Sequence, residues 1–199
     1  MEYVAEIGFL EGLDQRISLA INSLNCPASD WIWTVFSGKL VWVPLYLLVA
    51  FFLIRRLGWK RGAVAIVAAI LTIVACDQFA NFTKVTFARL RPCHTPWMVD
   101  NGLRILEDKG GLYGFYSAHA ANAMGFAVCT ARCFRWDSSR RYNVYTVCLV
   151  IWAVLVGISR VFVGKHFFGD VLTGYFVGWA FATLISLLAG LIAGRLSRR

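Results

Sequence analysis

The sequence predicts an all-α protein, namely a polytopic membrane helix bundle with about five spans and an amphipathic N-terminal helix in the membrane interface. Apolar residues make up 59% of the 199 residues and charged residues 16%, whereas soluble domains are about half apolar and a quarter charged. The mean hydropathy is +0.63. This composition excludes intrinsic disorder, and six cysteines in a chain of 199 residues do not make a disulfide-stapled miniprotein.

The first element is the N-terminal segment, residues 1–37, in which apolar and polar residues alternate. The apolar side chains recur at helical spacing at Leu13, Ile17, Ala20, Ile21 and Leu24. This pattern predicts an amphipathic helix that lies in the interface, followed by an anchor formed by Trp31 and Trp33. A span over residues 17–36 is the alternative, disfavoured by the polar residues Asn22, Asn25, Ser29 and Asp30.

The five predicted spans follow in residues 38–199, and we expect the whole chain, residues 1–199, to form one domain. Crossing a bilayer takes about 20 mostly apolar residues. The segments that qualify, with their flanks, lie at about 40–54, 63–80, 118–134, 142–158 and 171–192. The short loops after the first, third and fifth segments carry a net charge of +10, and the rest of the chain carries −1. By the positive-inside rule these loops and the C-terminus are cytoplasmic.

The same rule places the N-terminal segment and the loops at about 84–117 and 159–170 on the outer side. The overall net charge of +9 suits a nucleic-acid partner in a soluble chain, but in a membrane chain it indicates basic cytoplasmic loops. We therefore expect membrane lipids and no nucleic acid as partners. Nothing in the sequence specifies an oligomer.

A polar and basic face follows the second span. At helical spacing it carries Asp77, Asn81, Lys84, Ala88 and Arg91, which predicts a continuing helix that Pro92 ends. Lys84 and Arg91 would then lie about 10.5 Å apart along the axis. Two cations on one face favour an anion such as phosphate, which Arg binds in bidentate geometry and Lys as a point charge. The alternative is ordinary snorkelling of basic residues at the interface.

Two further segments on the outer side hold histidines. Ser117 opens the third span, either as an N-cap or as part of an anion site with the free N–H groups of the helix start. His119 follows in the first turn, where it can donate a proton. In the loop at 159–170, His166 and Asp170 are four residues apart. On a helical turn the carboxylate reaches one imidazole nitrogen and leaves the other as a base or nucleophile; a structural ion pair is the alternative.

Taken together, residues 84–92, 116–119 and 159–170 resemble the three-part signature of the type 2 phosphatidic acid phosphatase superfamily. That signature reads K-x6-R-P, P-S-G-H and S-R-x5-H-x3-D, and this chain keeps the order and internal spacing of all three parts. Two residues depart from it, because Tyr116 replaces the proline and Ala118 the glycine. The departures concern the shape of the substrate more than catalysis, since Ala118 retains its backbone N–H.

The resemblance implies a role for each matching residue. His166 would be the nucleophile that forms a phosphohistidine, Asp170 the acid that orients it, and His119 the general acid for the leaving group. The phosphate would be held by Lys84, Arg91, Ser117, Ala118 and Arg160. We expect no cofactor and no metal, since Asp77 and Asp170 are the only carboxylates near the motifs and the surrounding cations would repel zinc from the outer histidines.

The resemblance also implies a lipid-phosphate substrate. The expected enzyme removes a phosphomonoester or diphosphate from a lipid head group at the outer face of a bacterial inner membrane. Lipid A and undecaprenyl diphosphate are the preferred substrates; phosphatidylglycerophosphate and phosphatidic acid are alternatives. A small anion transporter would use the same cations, but it leaves the spacing of His166 and Asp170 unexplained. A purely structural membrane subunit explains none of the three motifs.

Two smaller hypotheses concern the outer side. Cys26 and Cys93 both lie there, where oxidation is permitted, so a disulfide between them is one hypothesis. His94, beside Cys93, matches no position of the signature; it either lines the entrance of the pocket or is simply exposed.

Overall fold

A computed structural model of the protein describes residues 8–196, and these residues form helices with no strand longer than an isolated bridge. The helices are α1 (Phe9–Asn22), α2 (Pro27–Ser37), α3 (Val43–Phe87), α4 (Pro96–Asp100), α5 (Ala118–Phe134), α6 (Asn143–Phe162) and α7 (Phe168–Leu196). Three of them are long and apolar enough to cross a membrane, with bounds of Leu40–Phe87, Asn143–Phe162 and Phe168–Leu196. The predicted all-α membrane bundle is therefore confirmed, while the number of five spans stays a prediction.

Helix α3 contains both of the first two predicted spans, joined at a sharp reversal. Gly58 has φ +76° and ψ 166°, which are not helical angles, and only glycine adopts a positive φ at little cost. A Cβ on Gly62 would lie 2.7 Å from the Cα of Ile54, so the backbones of the two arms touch. Residues 43–57 and 59–87 thus form a helical hairpin with the basic residues at its tip.

Helix α5 is the centre of the bundle and packs against α3, α6 and α7. Its buried side chains are mostly small, such as Ala120, Ala123 and Ala127. A Cβ on Gly178 of α7 would lie 2.2 Å from the carbonyl oxygen of Ala121, so the two backbones are in contact there, as small residues permit in membrane bundles. This close approach brings the start of α5 beside the start of α7, where two of the three motifs lie.

Helix α1 is amphipathic with its polar side inward. Gln15, Ser18 and Asn22 are buried, whereas Phe9 and Leu10 are 82% and 77% exposed. A helix that packs its polar face on the protein and turns its apolar face outward suits the predicted place in the membrane interface. Because α1 ends at Asn22 and α2 begins at Pro27, the alternative of one continuous span over residues 17–36 is wrong.

Helix α2 corrects the prediction of a double tryptophan anchor. Trp31 is exposed, as an anchor requires, but Trp33 stacks on Phe162 at the end of α6 with a ring-centroid distance of 4.1 Å. The indole of Trp33 is therefore part of the packing between α2 and α6. Helical spacing alone gives the two tryptophans different faces, since residues two positions apart do not share one.

Candidate active site

A cavity of about 510 Å³ lies between α3, α5 and α6 at the end where the motifs meet. Six of the eight predicted site residues line it, namely Lys84, Arg91, Ala118, His119, Arg160 and His166. The other two, Ser117 and Asp170, have fully buried side chains behind the cavity wall. The structure therefore brings together residues that lie up to 82 positions apart in the chain.

His166 lies in the short turn between α6 and α7 and is 3% exposed. Its Nδ1 is 3.5 Å from Oδ2 of Asp170, within ion-pair range but long for a hydrogen bond. Such contacts often tighten only when the substrate is bound. Burial lowers the pKa of His166 to about 4, with Asp170 acting in the opposite direction. At neutral pH the imidazole is uncharged, so Nε2 has a free lone pair for the cavity.

The carboxylate of Asp170 accepts two hydrogen bonds, one on each oxygen. Its Oδ1 accepts a 2.6 Å hydrogen bond from Nη1 of Arg89, and its Oδ2 accepts one of 3.1 Å from the backbone N–H of Phe167. Arg89 also donates from Nη2 to Asp14 of α1 at 2.8 Å. Fully buried carboxylates need such partners to remain charged. The pair of Arg89 and Asp14 therefore fixes the acid that faces His166.

The prediction of one helix running from Asp77 to Arg91 is wrong. Helix α3 ends at Phe87 because Ala88 adopts a left-handed conformation with φ +46°. The chain then runs extended, and the N–H of Arg91 donates to the carbonyl of Leu112 at 3.0 Å. These backbone bonds to the loop replace the helical ones. Burial lowers the pKa of Arg91, although a guanidinium remains charged at neutral pH.

The start of α5 follows the N-cap interpretation of Ser117. Its Oγ accepts from the N–H of Ala120 at 3.5 Å, and its own N–H donates to the carbonyl of Asp170 at 3.0 Å. Ala118 has a negative φ, so alanine fits where the signature has glycine. Ala118 and His119 both line the cavity from the first turn of α5, where unpaired N–H groups favour an anion. A phosphate contact from the hydroxyl of Ser117 stays a prediction.

Arg160 was expected in a loop but lies in the last turn of α6, which extends to Phe162. It is 4% exposed. Its Nη1 donates to the hydroxyl of Ser37 and pairs with Oε2 of Glu107 at 3.2 Å. Its Nε is buried and has no hydrogen-bond partner in residues 8–196. The Nη1 side of the guanidinium is thus fixed by Ser37 and Glu107, while the residue lines the cavity.

The structure places four further residues at or behind the site, and none of them occupies a fixed position of the three sequence motifs. Arg89 holds Asp170, Ser37 and Glu107 hold Arg160, and the exposed Lys39 lines the cavity at its rim. Arg89 is a base near a span end in the sequence, but both Arg89 and Lys39 lie outside the fixed positions of the motifs. Nothing local in the sequence links Glu107 to an arginine 53 residues away.

Four other residues of the loops at this end of the bundle do not line the cavity, namely Lys165, His94, Cys26 and Cys93. Lys165 donates to the carbonyl of Asp108, and Nε2 of His94 lies 3.3 Å from the carbonyl oxygen of Gly110. Cys26 is exposed and Cys93 buried, and both are free thiols, so the hypothesis of a disulfide between them is wrong. No cluster of three potential metal ligands occurs within residues 8–196; metal independence itself stays a prediction.

Comparison with known proteins identifies the family. Residues 62–191 match the PAP2 superfamily, and the chain belongs to it. The chain is 31% identical over 192 residues to a protein of Bacteroides thetaiotaomicron named lipid A 4'-phosphatase, covering 96% of this chain and 83% of the relative. It is 32% identical over 179 residues to a protein of that name from Porphyromonas gingivalis, covering 89% and 71%.

A third relative is the undecaprenyl-diphosphatase of Sulfolobus acidocaldarius, 29% identical over 146 residues, covering 72% of this chain and 61% of the relative. Two solved structures share the fold. A PAP2-type phosphatidylglycerolphosphate phosphatase of Bacillus subtilis has a TM-score of 0.75 at 21% identity, covering 94% of this chain and 89% of that one. LpxE of Aquifex aeolicus has a TM-score of 0.63 at 22% identity, covering 94% and 99%. The prediction of a membrane phosphatase is thereby confirmed, in place of the transporter and structural-subunit alternatives.

Proposed function

We propose that this protein hydrolyses a phosphomonoester on lipid A at the outer face of the bacterial inner membrane, through a phosphohistidine on His166. One observation carries the chemistry: His166, backed by the buried carboxylate of Asp170, lines the same cavity as Lys84, Arg91, Arg160 and a second histidine. The substrate is supported by the two relatives named lipid A 4'-phosphatase, each aligned over more than two thirds of its own length.

The reaction would begin with the phosphate between Lys84, Arg91 and Arg160. A transferring phosphoryl group spreads charge over three oxygens, and fixed cations stabilise that charge most in the transition state. Arg160 lines the cavity, and its guanidinium is already oriented by Ser37 and Glu107, so a bound phosphate would meet a cation that is fixed in place.

In the first step Nε2 of His166 attacks phosphorus while the bond from phosphorus to the sugar oxygen breaks. His119 donates its proton to that oxygen, and Asp170 stabilises the positive charge that develops on the His166 ring. In the second step the now neutral His119 takes a proton from water as the water attacks the phosphohistidine. Inorganic phosphate leaves, His166 becomes neutral again, and His119 regains its proton.

Undecaprenyl diphosphate is the second candidate substrate, favoured by one observation. Lys39 adds a fourth cation at the rim of the cavity, where a second phosphate would lie beside the first. The archaeal relative named undecaprenyl-diphosphatase is consistent with this reading, although the match spans 61% of its length. Phosphatidylglycerophosphate and phosphatidic acid are the less favoured alternative substrates.

The test is release of inorganic phosphate by detergent-purified protein from lipid A, undecaprenyl diphosphate, phosphatidylglycerophosphate and phosphatidic acid. We expect the highest kcat/KM for lipid A, inhibition by vanadate as a mimic of five-coordinate phosphorus, and little effect of EDTA. Failure to act on lipid A would overturn the substrate assignment. Loss of activity on chelation, restored by Zn²⁺ or Mg²⁺, would overturn the metal-independent mechanism.

A further inference from the structure

The cavity continues beyond the cations into a polar wall that the phosphate chemistry does not use. We call this wall the polar ledge; it consists of Asp77, Gln78 and Asn81 from α3 and Asn122 from α5. With a rise of 1.5 Å per residue, Asn81 and Asp77 lie about 4.5 and 10.5 Å from Lys84 along α3. One helical turn further on, the lining becomes apolar with Ile73 and Val74.

Polar groups at this depth require an explanation. Three of the four ledge residues belong to α3, a helix long and apolar enough to cross a membrane, and Asp77 precedes the end of α3 by ten residues. A carboxylate within a span is costly unless it faces a cavity, a partner or a ligand. The Asp77 carboxylate accepts one long hydrogen bond, 3.4 Å from Nδ2 of Asn122. Oδ1 of Asn122 is buried without a partner in the described part of the chain.

The chemistry of the ledge defines what it can hold. An ionised carboxylate only accepts hydrogen bonds, so Asp77 requires a ligand that donates them, while the amides of Asn81 and Asn122 both donate and accept. Hydroxyl groups and an N-acyl amide of a sugar meet this requirement. Ester carbonyls and prenyl chains offer no donor. A second phosphate at this depth would be repelled by the charge of Asp77.

We propose that the polar ledge binds the sugar ring that carries the scissile phosphate, and that it thereby selects phosphorylated glycolipids. This inference rests on the proposed function and deepens it. The three layers of the cavity then match the three parts of such a substrate. The cations hold the phosphate, the ledge holds the sugar, and the apolar lining around Ile73, Val74 and Tyr46 receives the acyl chains.

The test compares two substrates in each variant, because a ratio of activities cancels any difference in the folded fraction. We expect Asp77→Asn and Asn81→Leu each to lower the ratio of kcat/KM for lipid A to that for phosphatidic acid by about 10-fold. That factor corresponds to about 1.4 kcal/mol, the scale of one hydrogen bond to a charged or buried group.

Thr86→Val is the matched control, since Thr86 is an exposed residue of the same helix outside the cavity, with its hydroxyl bonded to the carbonyl of Phe82 at 2.9 Å. The control should leave the ratio as in the wild type. If the wild type hydrolyses lipid A but neither ledge variant changes the ratio, the ledge inference is overturned while the proposed function stands. If the wild type hydrolyses phosphatidic acid and not lipid A, the proposed function fails, and the ledge inference with it.

Discussion

Burial lowers the pKa of His166, and the neighbouring carboxylate of Asp170 raises it. In the unfolded chain an imidazole has an ordinary pKa of 6.5, whereas burial lowers the pKa of His166 to about 4 in the folded protein. Between these values the unfolded state binds a proton that the folded state does not. The contribution of His166 to the free energy of unfolding is therefore fully present above about pH 6.5 and is lost as the pH falls towards 4.

This leads to a prediction about the titration of one residue. In detergent-solubilised protein labelled with ¹⁵N-histidine, the chemical shifts of the His166 ring nitrogens should report protonation of the ring near pH 4. The signal is assigned by its absence in His166→Asn. A signal that titrates near pH 6.5 would contradict the buried, neutral nucleophile. Asp170→Asn should move the pKa lower still, because it removes the charge that opposes burial.

At the scale of single residues, the sequence predicts that the motif residues His166 and Asp170 lie together, but it does not predict which residues hold them in place. The spacing between His166 and Asp170 places two functional groups on one turn, and the structure has them 3.5 Å apart. Arg89, by contrast, lies within the variable spacer of its motif, and its partner Asp170 is 81 residues away. An ion pair of that kind depends on how helices pack, so local spacing cannot predict it.

Among the elements, α1 contacts the turn that holds His166 through its polar face. Oδ1 of Asp14 accepts the N–H of Gly169, and Oγ of Ser18 accepts that of Phe168, each at 2.8 Å. These are free N–H groups at the start of α7. At the other side of the turn that holds His166, the amide of Asn22 donates to the carbonyl of Phe162 at 2.8 Å. The polar face of α1 therefore holds both helix ends that flank His166.

We expect Asp14→Asn to impair catalysis through Arg89 and Asp170, since it removes the charge that holds Arg89 in place. Asp14 is a positioning residue, so kcat on lipid A should fall about 10-fold, the scale of one weakened charge-assisted hydrogen bond, with a smaller change in KM. Glu11→Gln removes an exposed acid from the same helix and is the control. Equal kcat values for Asp14→Asn and the wild type would show that α1 does not support the site.

The sequence predicts that the helices α3 and α6 exist, but it does not predict the residues at which they end. Hydropathy ends the fourth span at about residue 158, whereas α6 continues to Phe162 because Asn22 binds the carbonyls of Val161 and Phe162. Similarly, α3 stops at Phe87 because the following residues bond to the loop around Leu112. In both cases the deciding hydrogen bonds come from distant parts of the chain, so helical periodicity carries no sign of them.

On the scale of the whole molecule, the basic loops that the charge pattern groups together also meet at one end of the helix bundle. Nη2 of Arg61 donates to the carbonyl of Trp136 at 2.7 Å, so the first two basic loops meet. Trp136 also lies beside Gly190 of α7, 3.4 Å from its ideal Cβ position. The first two basic loops and the later turns of α7 thus share one end of the bundle, and the cavity with its motifs lies at the other.

The orientation of these ends gives a prediction of its own. In a background without cysteines, a probe at Lys109→Cys should be labelled from outside intact cells or spheroplasts. A probe at Ser138→Cys should be labelled only after permeabilisation, since Ser138 lies in a basic loop that the positive-inside rule places in the cytoplasm. The reverse pattern of labelling would place the active site at the inner face and exclude hydrolysis in the outer leaflet.

The central claim is that the phosphoryl group is transferred to His166 as a covalent intermediate. Rapid-quench trapping of labelled protein tests it most directly. With an activated substrate such as labelled p-nitrophenyl phosphate, the leaving phenolate needs little help from a general acid. Wild-type protein and His119→Ala should therefore both accumulate acid-labile phosphate, although His119→Ala should turn over lipid A about 10²–10⁴-fold more slowly. His166→Ala should carry no label. Labelling of His166→Ala at the level of the wild type would contradict the assignment of the nucleophile.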